Sequence, residues 1–518
     1  MRLRLNGFAV CFNSGHCAEL KDGKFHPPGL FPHQREKVSS HCLLWLIVLL
    51  ASTVTGIGAQ QQAATAAPGA YCQFSKEDLA EKKRLRLAAL DGDDRDRDRY
   101  QAIVKKHADQ LKACRRKNWP QTQAIWLRLY PCDIKPGMLE TTLDRIVSRG
   151  YNQVNVEVFH NGQVLLPASQ NSTPWPSLVQ SPGKEQVDLL RMAITKGRER
   201  GLTVYAWMFT MNFGRVYSQR SGRDAALARN GKGESSYNKE ASQAFIDPYH
   251  PTAQNDYQQL LRAVLRRDPD GVLFDYIRYP RGTGTESIAT RVQDLWIYGQ
   301  AAQQVLLRRA QNYKGQTLIQ RFLSKGYITA SDLEEVNSLY PQEGEPLWQG
   351  RTSIRVPPEQ QQALLQAELW RLSVSHALQG VLDFLKLALR PVQQQGLPSG
   401  VVFFPGGNRA IGKGFDSRLQ PWDRFPAWTE WHPMAYASCG RTNCIIEQVR
   451  RVLRQAPRGT RVKPALAGTW GQSIRNRPSL ERQMQALYQA APRIQTVSHF
   501  AYSWQEPSRD RDRKYCRL

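Results

Sequence analysis

Three carboxylates lie within or just after short apolar runs of this 518-residue chain: Glu157, Asp275 and Glu506. Two carboxyl groups that face one substrate could carry out general acid–base chemistry, because each can donate or accept a proton. The same residue types also form internal salt bridges, since a buried carboxylate is costly unless it is paired or hydrogen-bonded. For Asp275, Arg278 or Arg128 would be the partner in that structural alternative.

The alternation of residue types predicts which of these carboxylates face the same way. In a strand, successive side chains point to opposite faces of the sheet. Val272 and Phe274 would share one face, which turns Asp275 to the other. By the same rule, Glu157 faces away from its valine neighbours.

Aromatic residues recur near the ends of the same runs and would line a binding surface. Trp and Tyr offer a flat apolar face with one polar group, which suits stacking on sugar rings as well as core packing. The aromatic candidates for substrate binding are Trp207, Tyr276, Tyr436, Trp470 and Trp504. His432 would share a strand face with Tyr436, and Trp504 would share one with Tyr502 and Glu506.

Eight strand-like runs alternate with helical stretches from about residue 119 onwards. The strands are expected at 124–129, 153–159, 203–209, 271–277, 400–405, 430–437, 462–470 and 497–504. Helices are expected between them at 137–149, 184–200, 252–267, 359–395, 443–456 and 479–491. This alternation indicates a parallel sheet of the α/β class, and eight units fit a (β/α)8 TIM barrel better than a doubly wound sheet. Barrel enzymes carry their chemistry at the carboxyl ends of the strands, where Asp275 and Glu506 are expected.

Four segments follow from this pattern: an N-terminal extension with a signal sequence or anchor at 1–59, a linker and charged helical segment at 60–118, the barrel at 119–508, and a basic tail at 509–518. A long helical insertion is expected after strand four at 281–399, with helices at 286–312 and 359–395, and it would form a lid or a wall of the cleft. The charge-alternating run 91–99 is expected to be a solvated turn.

Residues 42–50 are strongly apolar, follow Arg35 and Lys37, and precede small residues. This order predicts a secretory signal cleaved near 58–60, with a retained anchor as the alternative; translation could also start after Met1. No other run is expected to cross a bilayer. The net charge of +26 suits binding to anionic polymers (nucleic acid, acidic glycan or lipid head groups), but it equally suits a basic surface that is merely solvated.

The cysteines predict disulfides. Of the nine, Cys11, Cys17 and Cys42 precede the predicted cleavage point, which leaves an even number in an exported chain. Cys439 and Cys444 close a short loop and are the first expected pair, and Cys72 with Cys114 and Cys132 with Cys516 follow by elimination. Zinc is the alternative, but no C-x-x-C with a partner pair occurs. We therefore expect no metal and no cofactor.

Several motifs carry a family resemblance. D-G-V-L-F-D-Y-I-R-Y-P at 270–280, F-I-D-P-Y-H-P at 245–251, and A-I-W-L-R-L at 124–129 with R-G-Y-N-Q-V-N at 149–155 resemble segments of the glycosyl-hydrolase-like family 10 barrels. The C-terminal half is similar more loosely. W-H-P-M-A-Y-A at 431–437 and F-A-Y-S-W-Q-E-P at 500–507 resemble the sixth and eighth strands of family 18 chitinase-type barrels.

The resemblance implies a barrel that acts on glycosidic bonds of cell-envelope or extracellular polysaccharide. It assigns Asp275 to the acidic position at the end of strand four and Asp247 to a polar position before a proline. It assigns Tyr436 to the tyrosine of strand six and Trp504 to the sugar-floor tryptophan of strand eight. The chitinase pattern D-x-x-D-x-D-x-E is not reproduced, because Arg278 stands near the position of its acid, so substrate-assisted chitin cleavage in that form is not expected.

Glycosidic cleavage usually needs one carboxyl group to protonate the leaving oxygen and another as base or nucleophile. We expect Asp275, kept ionised by Arg278, to be one of the pair, and Glu506 or Glu157 to be the other. The neighbouring Trp504 favours Glu506 as the acid.

A non-catalytic glycan-binding barrel is the alternative function, since fold alone does not grant activity. In both cases the expected partner is a poly- or oligosaccharide in the periplasm, in the envelope or outside the cell, with anionic envelope polymers as a further class. Nucleic acid is not expected, because no nucleic-acid motif occurs. The membrane would be contacted only through an uncleaved N-terminal segment.

Overall fold

The structure is a computed structural model that describes residues 11–12, 16–17 and 71–518, without 161, 239–241 and 354–355. It contains two compact units, Met1–Gln62 and Ala63–Leu518. In the first unit, Cys11–Phe12 and His16–Cys17 pair as antiparallel strands. The predicted signal or anchor at 42–59, its cleavage point and most of the linker lie outside the described residues. No helix in the described part is both long and apolar enough to cross a bilayer.

Within residues 71–518, eight parallel strands form the closed barrel that the sequence predicts. They are β1 (Thr122–Leu127), β2 (Gln153–Glu157), β3 (Thr203–Phe209), β4 (Gly271–Asp275), β5 (Ser399–Phe403), β6 (Glu430–Ala435), β7 (Arg461–Val462 and Ala465–Ala467) and β8 (Thr496–Phe500). Each strand pairs with the next, and β8 pairs with β1, which closes the ring. The prediction of a (β/α)8 TIM barrel is confirmed.

Helices cover the outside of the barrel. Those of the described residues are α1 (Lys76–Leu90), α2 (Asp94–Lys117), α3 (Met138–Ser148), α4 (Leu189–Glu199), α5 (Gly214–Ser218), α6 (Pro251–Leu265), α7 (Gln300–Leu307), α8 (Tyr313–Lys325), α9 (Ala330–Leu339), α10 (Pro358–Gln394), α11 (Thr442–Gln455), α12 (Leu480–Ala490), α13 (Tyr502–Gln505) and α14 (Pro507–Tyr515). The six predicted connecting helices are present as α3, α4, α6, α10, α11 and α12. In α6, for example, Pro251 fills the first position, where no N–H is lost, and Leu260 and Val264 are buried on one face.

Side chains of β2 and β4 alternate between the helix layer and the barrel interior, as a period of two requires. In β4, Val272 and Phe274 pack into the core beneath the helices, whereas Asp275 points inward to Trp207. In β2, Val156 lies in the helix-side core and Glu157 lies inside. The interior apolar side chains are Trp126, Tyr205, Trp207, Leu273, Val402, Met434, Ala465 and Ala501.

The eighth strand is shorter than predicted. β8 ends at Phe500 and the helical turn α13 follows, so the strand predicted at 497–504 ends too late. Trp504 and Glu506 therefore do not share a strand face. Pro507, the first residue of α14, favours the start of a helix and cannot donate to a strand ladder.

The long insertion predicted at 281–399 lies between β4 and β5. The single helix expected at 286–312 is wrong, because this stretch contains short turns and the strand Ile288–Ala289 before α7. The carboxylate of Asp294 closes one of these turns by accepting the N–H of Arg291 at 3.1 Å. A local side-chain hydrogen bond of this kind competes with helix formation.

The charged run 91–99 and the terminal segment 509–518 are more ordered than the sequence suggested. The run is a turn only as far as Asp93, whose carboxylate accepts an N–H of the first turn of α2. The terminal segment belongs mainly to α14, where Arg513 pairs with Asp133 at 2.7 Å.

The three predicted disulfides are confirmed. Cys72–Cys114 holds the segment just before α1 to α2, and Cys132–Cys516 ties the end of α14 to the turn after β1. Cys439–Cys444 closes the short loop after β6.

One buried carboxylate anchors α1 and α2 to the barrel. Asp144 of α3 accepts hydrogen bonds from Arg86 of α1 at 3.0 Å and Tyr100 of α2 at 2.8 Å. Arg200, which follows α4, donates to it at 3.0 Å. Burial alone would raise the pKa of Asp144, but Lys82 and Arg200 outweigh it, and the pKa lies below its ordinary value.

Asp144→Asn should lower the free energy of unfolding by about 3–5 kcal/mol at pH 7, because it leaves buried cations without their counter-charge. Since the pKa is lowered in the folded state, the carboxylate stabilises the fold above its unfolded pKa, and this is lost as the pH falls through the folded value. The difference between variant and parent should therefore shrink in acid. Urea unfolding at several pH values measures both effects.

Glu81→Gln is the matched control, because Glu81 pairs with Arg84 on the exposed face of α1. This variant should leave the urea midpoint nearly unchanged. Equal midpoints for the two variants at pH 7 would contradict the anchoring role of Asp144.

Candidate active site

Asp275 is the last residue of β4, and its carboxyl group is fixed at the carboxyl end of the barrel. The backbone turns directly after it, since Tyr276 has a φ of +55°, a left-handed conformation that costs a non-glycine residue about 1–2 kcal/mol. The Tyr276 N–H donates to Oδ1 of Asp275 at 2.7 Å. Trp207 Nε1 donates to Oδ2 at 3.1 Å. Both oxygens are therefore held in place, and the residue is only 7% exposed.

Burial raises the pKa of Asp275 to about 6, although the Tyr276 N–H, Arg278 and Trp207 act in the opposite direction. Arg278 thus acts on this pKa in the expected direction, but burial outweighs its effect. The Arg278 guanidinium lies over the Tyr276 ring at 4.8 Å and donates to the carbonyl of Tyr279 at 2.8 Å. A buried carboxyl group with a pKa near 6 is suited to act as an acid.

Glu157 lies at the same end of the barrel, at the end of β2. Its Oε2 forms an ion pair of 2.6 Å with Nε of Arg128, and its side chain is 1% exposed. The charge of Glu157 is near enough to Asp275 to raise the pKa of the latter further. Arg128, which the sequence offered as a partner of Asp275, thus pairs with Glu157. Two of the three predicted carboxylates are brought together.

The structure does not bring Glu506 to this pair. Glu506 lies between α13 and α14, where Arg149 binds it at 2.5 Å and Arg145 of α3 at 3.3 Å. Because α3 belongs to the outer layer of helices, Glu506 is placed in that layer.

A row of aromatic rings in mutual contact lies beside Asp275. Trp207 donates to the carboxyl group. Burial raises the pKa of Tyr436, and the charge of Asp275 raises it further. The Tyr436 ring lies 5.6 Å from that of Phe500, which lies 6.3 Å from Trp504. Tyr276 packs beside this row at 4.3 Å from Phe209.

The three remaining predicted binding residues have partners elsewhere. His432 lies inside the barrel near the start of β6, beside Glu430 at 3.4 Å, and is 1% exposed. Trp470 packs against the core formed with α11 and α12. Asp247 accepts the N–H of Ala302 at 3.0 Å near the start of α7, and burial raises its pKa to about 6.

A cavity of about 810 Å³ opens at the carboxyl ends of β5 and β6, beside Met434 and Tyr436. Its arginines are Arg281, Arg409, Arg418, Arg451, Arg454 and Arg477. Sequence reasoning missed this group, because its members come from distant loops and share no spacing. The strongly positive net charge was the one available signal.

The site places two carboxyl groups, each able to donate or accept a proton, next to surfaces that suit sugar rings. Among the described residues, no group of three or more His, Cys, Asp or Glu side chains is arranged to hold a metal ion.

Residues 122–309 match the sequence model of the family Glycosyl hydrolase-like 10. The family resemblance seen in the sequence is therefore confirmed over this segment, which contains the first four strands of the barrel. No curated protein matches the chain significantly.

The chain is also similar to solved structures of glycoside hydrolases. The PgaB (BpsB) glycoside hydrolase domain from Bordetella bronchiseptica is 14% identical, with 76% of this chain and 99% of that chain covered and a TM-score of 0.45. A beta-N-acetylhexosaminidase from Bacteroides fragilis is 8% identical, with 79% and 68% covered and a TM-score of 0.38. A GH20 exo beta-N-acetylglucosaminidase from Vibrio harveyi is 10% identical, with 78% and 57% covered and a TM-score of 0.36.

Asp275→Asn should gain stability relative to the parent as the pH rises. The raised pKa of Asp275 means that the parent is fully stable below the unfolded value of 3.8 and loses stability as the pH rises through about 6. Asparagine stays neutral and does not incur this loss. Between pH 4 and pH 8, the difference in unfolding free energy should move by about 2–3 kcal/mol in favour of the variant.

Chemical unfolding at both pH values measures this change. Asp512→Asn, at an exposed aspartate of α14, is the control and should show no such trend. A pH-independent difference between Asp275→Asn and the parent would contradict the raised pKa.

Proposed function

We propose that this protein is an exported glycoside hydrolase that cleaves glycosidic bonds of a cell-envelope or extracellular polysaccharide by a two-carboxylate mechanism. The observation that carries the proposal is the carboxyl group of Asp275. It is held by two hydrogen bonds at the carboxyl end of β4, has a pKa of about 6, and lies beside Trp207 and Tyr436. Active sites of TIM-barrel enzymes lie at this end of the strands.

In this mechanism Asp275 is the acid. Its proton goes to the glycosidic oxygen as the bond to the anomeric carbon breaks, and the leaving sugar departs as an alcohol. Glu157 is the second carboxylate, and it either takes a proton from the attacking water or attacks the anomeric carbon itself. The guanidinium of Arg128 offsets the negative charge that Glu157 carries in this role. We therefore assign the acid role to Asp275, whereas the sequence favoured Glu506 for it.

The aromatic row would hold the sugar. Tyr436 and Trp504 are proposed to stack on or border sugar rings, with Trp207 fixing the acid and Tyr276 closing the side of the site. His432, Trp470 and Asp247 have other partners in the structure, so their direct contact with sugar is not part of this proposal.

A non-catalytic glycan-binding barrel is the second candidate function. One observation favours it: the carboxylate of Glu157 is 1% exposed and paired with Arg128, which restricts its access to a substrate. Stacking residues and one acid suffice for binding, so this alternative needs no rearrangement.

Export is proposed from two features. Residues 42–59 have the order of a secretory signal, and the three disulfides are typical of oxidising compartments such as the periplasm or the outside of the cell.

Asp275→Asn and Glu157→Gln should each lower kcat by about 10²-fold or more, because each removes a proton-transfer group. Glu506→Gln is the matched control, since that carboxylate pairs with Arg149 in the helix layer, and it should keep kcat within about tenfold of the parent. Counting reducing ends released from peptidoglycan, exopolysaccharides and storage glucans measures the activity. Thermal unfolding of each variant confirms that it is folded.

Full activity of Asp275→Asn would end the assignment of the acid. A folded but inactive Glu506→Gln variant would return the catalytic role to Glu506. If the parent binds a glycan of the panel and releases no reducing ends, the binding function is the correct one.

A further inference from the structure

The cavity beside Tyr436 carries a positive charge that the described carboxylates offset only in part. Six arginines line it, against one carboxylate, that of Glu447. Glu447 pairs with Arg450 at 2.9 Å. Among the described residues, Arg418 is the one arginine of the six that forms an ion pair, with Asp416 at 2.6 Å.

These arginines lie close enough to repel one another. Burial lowers the pKa of Arg451, and Arg409 and Arg454 lower it further. Burial also lowers the pKa of Arg278, and Arg418 acts in the same direction. Because like charges at short range cost free energy, an anion that entered the cavity would relieve the repulsion.

The cavity adjoins Asp275. Tyr436 forms part of its wall and also lies within electrostatic reach of Asp275. Phe404, another wall residue, has the guanidinium of Arg418 at 4.5 Å and that of Arg278 at 5.6 Å from its ring centre. A chain leaving Asp275 would therefore pass over aromatic surface before it reaches the arginines.

We propose that the arginine-lined cavity binds the acidic groups of an anionic polysaccharide, so that the substrate class is a glycan with carboxylate or sulfate groups beside the cleaved bond. The cleavage rests on the proposed function, whereas the binding does not. A guanidinium fork matches a carboxylate or sulfate group through two parallel hydrogen bonds. A cleft lined by one sign of charge also concentrates ligands of the opposite sign.

The neighbouring cavity offers a contrast. It measures about 680 Å³ and shares Arg281 with the first. Its Lys232 is offset by Asp294 at 3.3 Å and by Glu286 at 3.6 Å. The acidic groups of the polysaccharide would therefore bind on one side of the barrel mouth, at the arginine-lined cavity beside β5 and β6.

The test removes two exposed arginines of the cavity together, Arg409→Gln with Arg454→Gln. The control removes two exposed arginines from the loops before β7 and β8, at the opposite end of the barrel, Arg458→Gln with Arg493→Gln. Both pairs change the net charge equally. All proteins are full chains that carry Asp275→Asn, so binding is measured without cleavage, and thermal unfolding checks that they are folded.

Fluorescent polygalacturonate, dextran sulfate, neutral dextran and single-stranded DNA are the probes, at low salt. The cavity variant should bind at least one acidic polymer about tenfold more weakly than the parent, because charge-assisted hydrogen bonds are lost. The control pair should bind it as the parent does. Weakening for polygalacturonate alone identifies carboxylate as the group recognised, and weakening for dextran sulfate alone identifies sulfate.

Equal weakening by the control pair would show attraction to the net charge of the whole chain and would overturn the proposal. Failure of the parent to bind either acidic polymer would do so too, as would equal affinity for neutral dextran or tighter binding of single-stranded DNA. Cleavage restricted to neutral glycans refutes the inference and leaves the hydrolase proposal standing. If binding depends on the cavity but the protein with Asp275 intact cleaves no glycan, the binding inference stands and the hydrolase proposal is refuted.

Discussion

The interior of a closed parallel barrel excludes water, and this constraint governs the chemistry of every side chain that points into it. Because side chains alternate, the outward packing of Val272 and Phe274 leaves Asp275 no other direction than inward. A carboxyl group placed there must be hydrogen-bonded, paired or protonated. Trp207 and the N–H of Tyr276 supply the hydrogen bonds. These hydrogen bonds do not fully compensate for burial, so the pKa of Asp275 rises and its carboxyl group becomes an acid that can function near neutral pH.

A second buried carboxylate in the same barrel shows how much the partner matters. Glu430, at the start of β6, forms an ion pair with Lys463 at 2.7 Å and lies 3.4 Å from His432. Burial opposes its ionisation too, yet His432 and Lys463 lower its pKa to about 2. Asp275 accepts hydrogen bonds from neutral N–H groups, whereas Glu430 has the ammonium group of Lys463 in direct contact. The two ends of the barrel therefore hold carboxyl groups with different roles. Glu430, at the amino ends of the strands, belongs to a structural ion pair, whereas Asp275, at the carboxyl ends, is a proton donor.

The parts of the fold that depend on local alternation could be predicted from the sequence. The positions of eight strands, the inward turn of Asp275 and the three disulfides needed only periodicity and the cysteine positions. Glu506 could not be placed, because its direction depended on a strand continuing past Phe500, and the helical turn before Pro507 replaces that strand. The arginine-lined cavity had no local signal, since residues as far apart as Arg281 and Arg477 meet only in the folded barrel.

The barrel mouth keeps opposite charges apart that could have neutralised each other. Arg278 follows Asp275 by three residues, yet its guanidinium lies over Tyr276 and Phe245 rather than against the carboxylate. A direct pair would have lowered the pKa of Asp275 and removed its capacity to donate a proton near neutral pH. The buried carboxylates of Glu157 and Glu430, by contrast, have close cationic partners. The mouth thus holds a proton donor next to a group of arginines that is largely unpaired among the described residues, so an acidic sugar chain could meet both together.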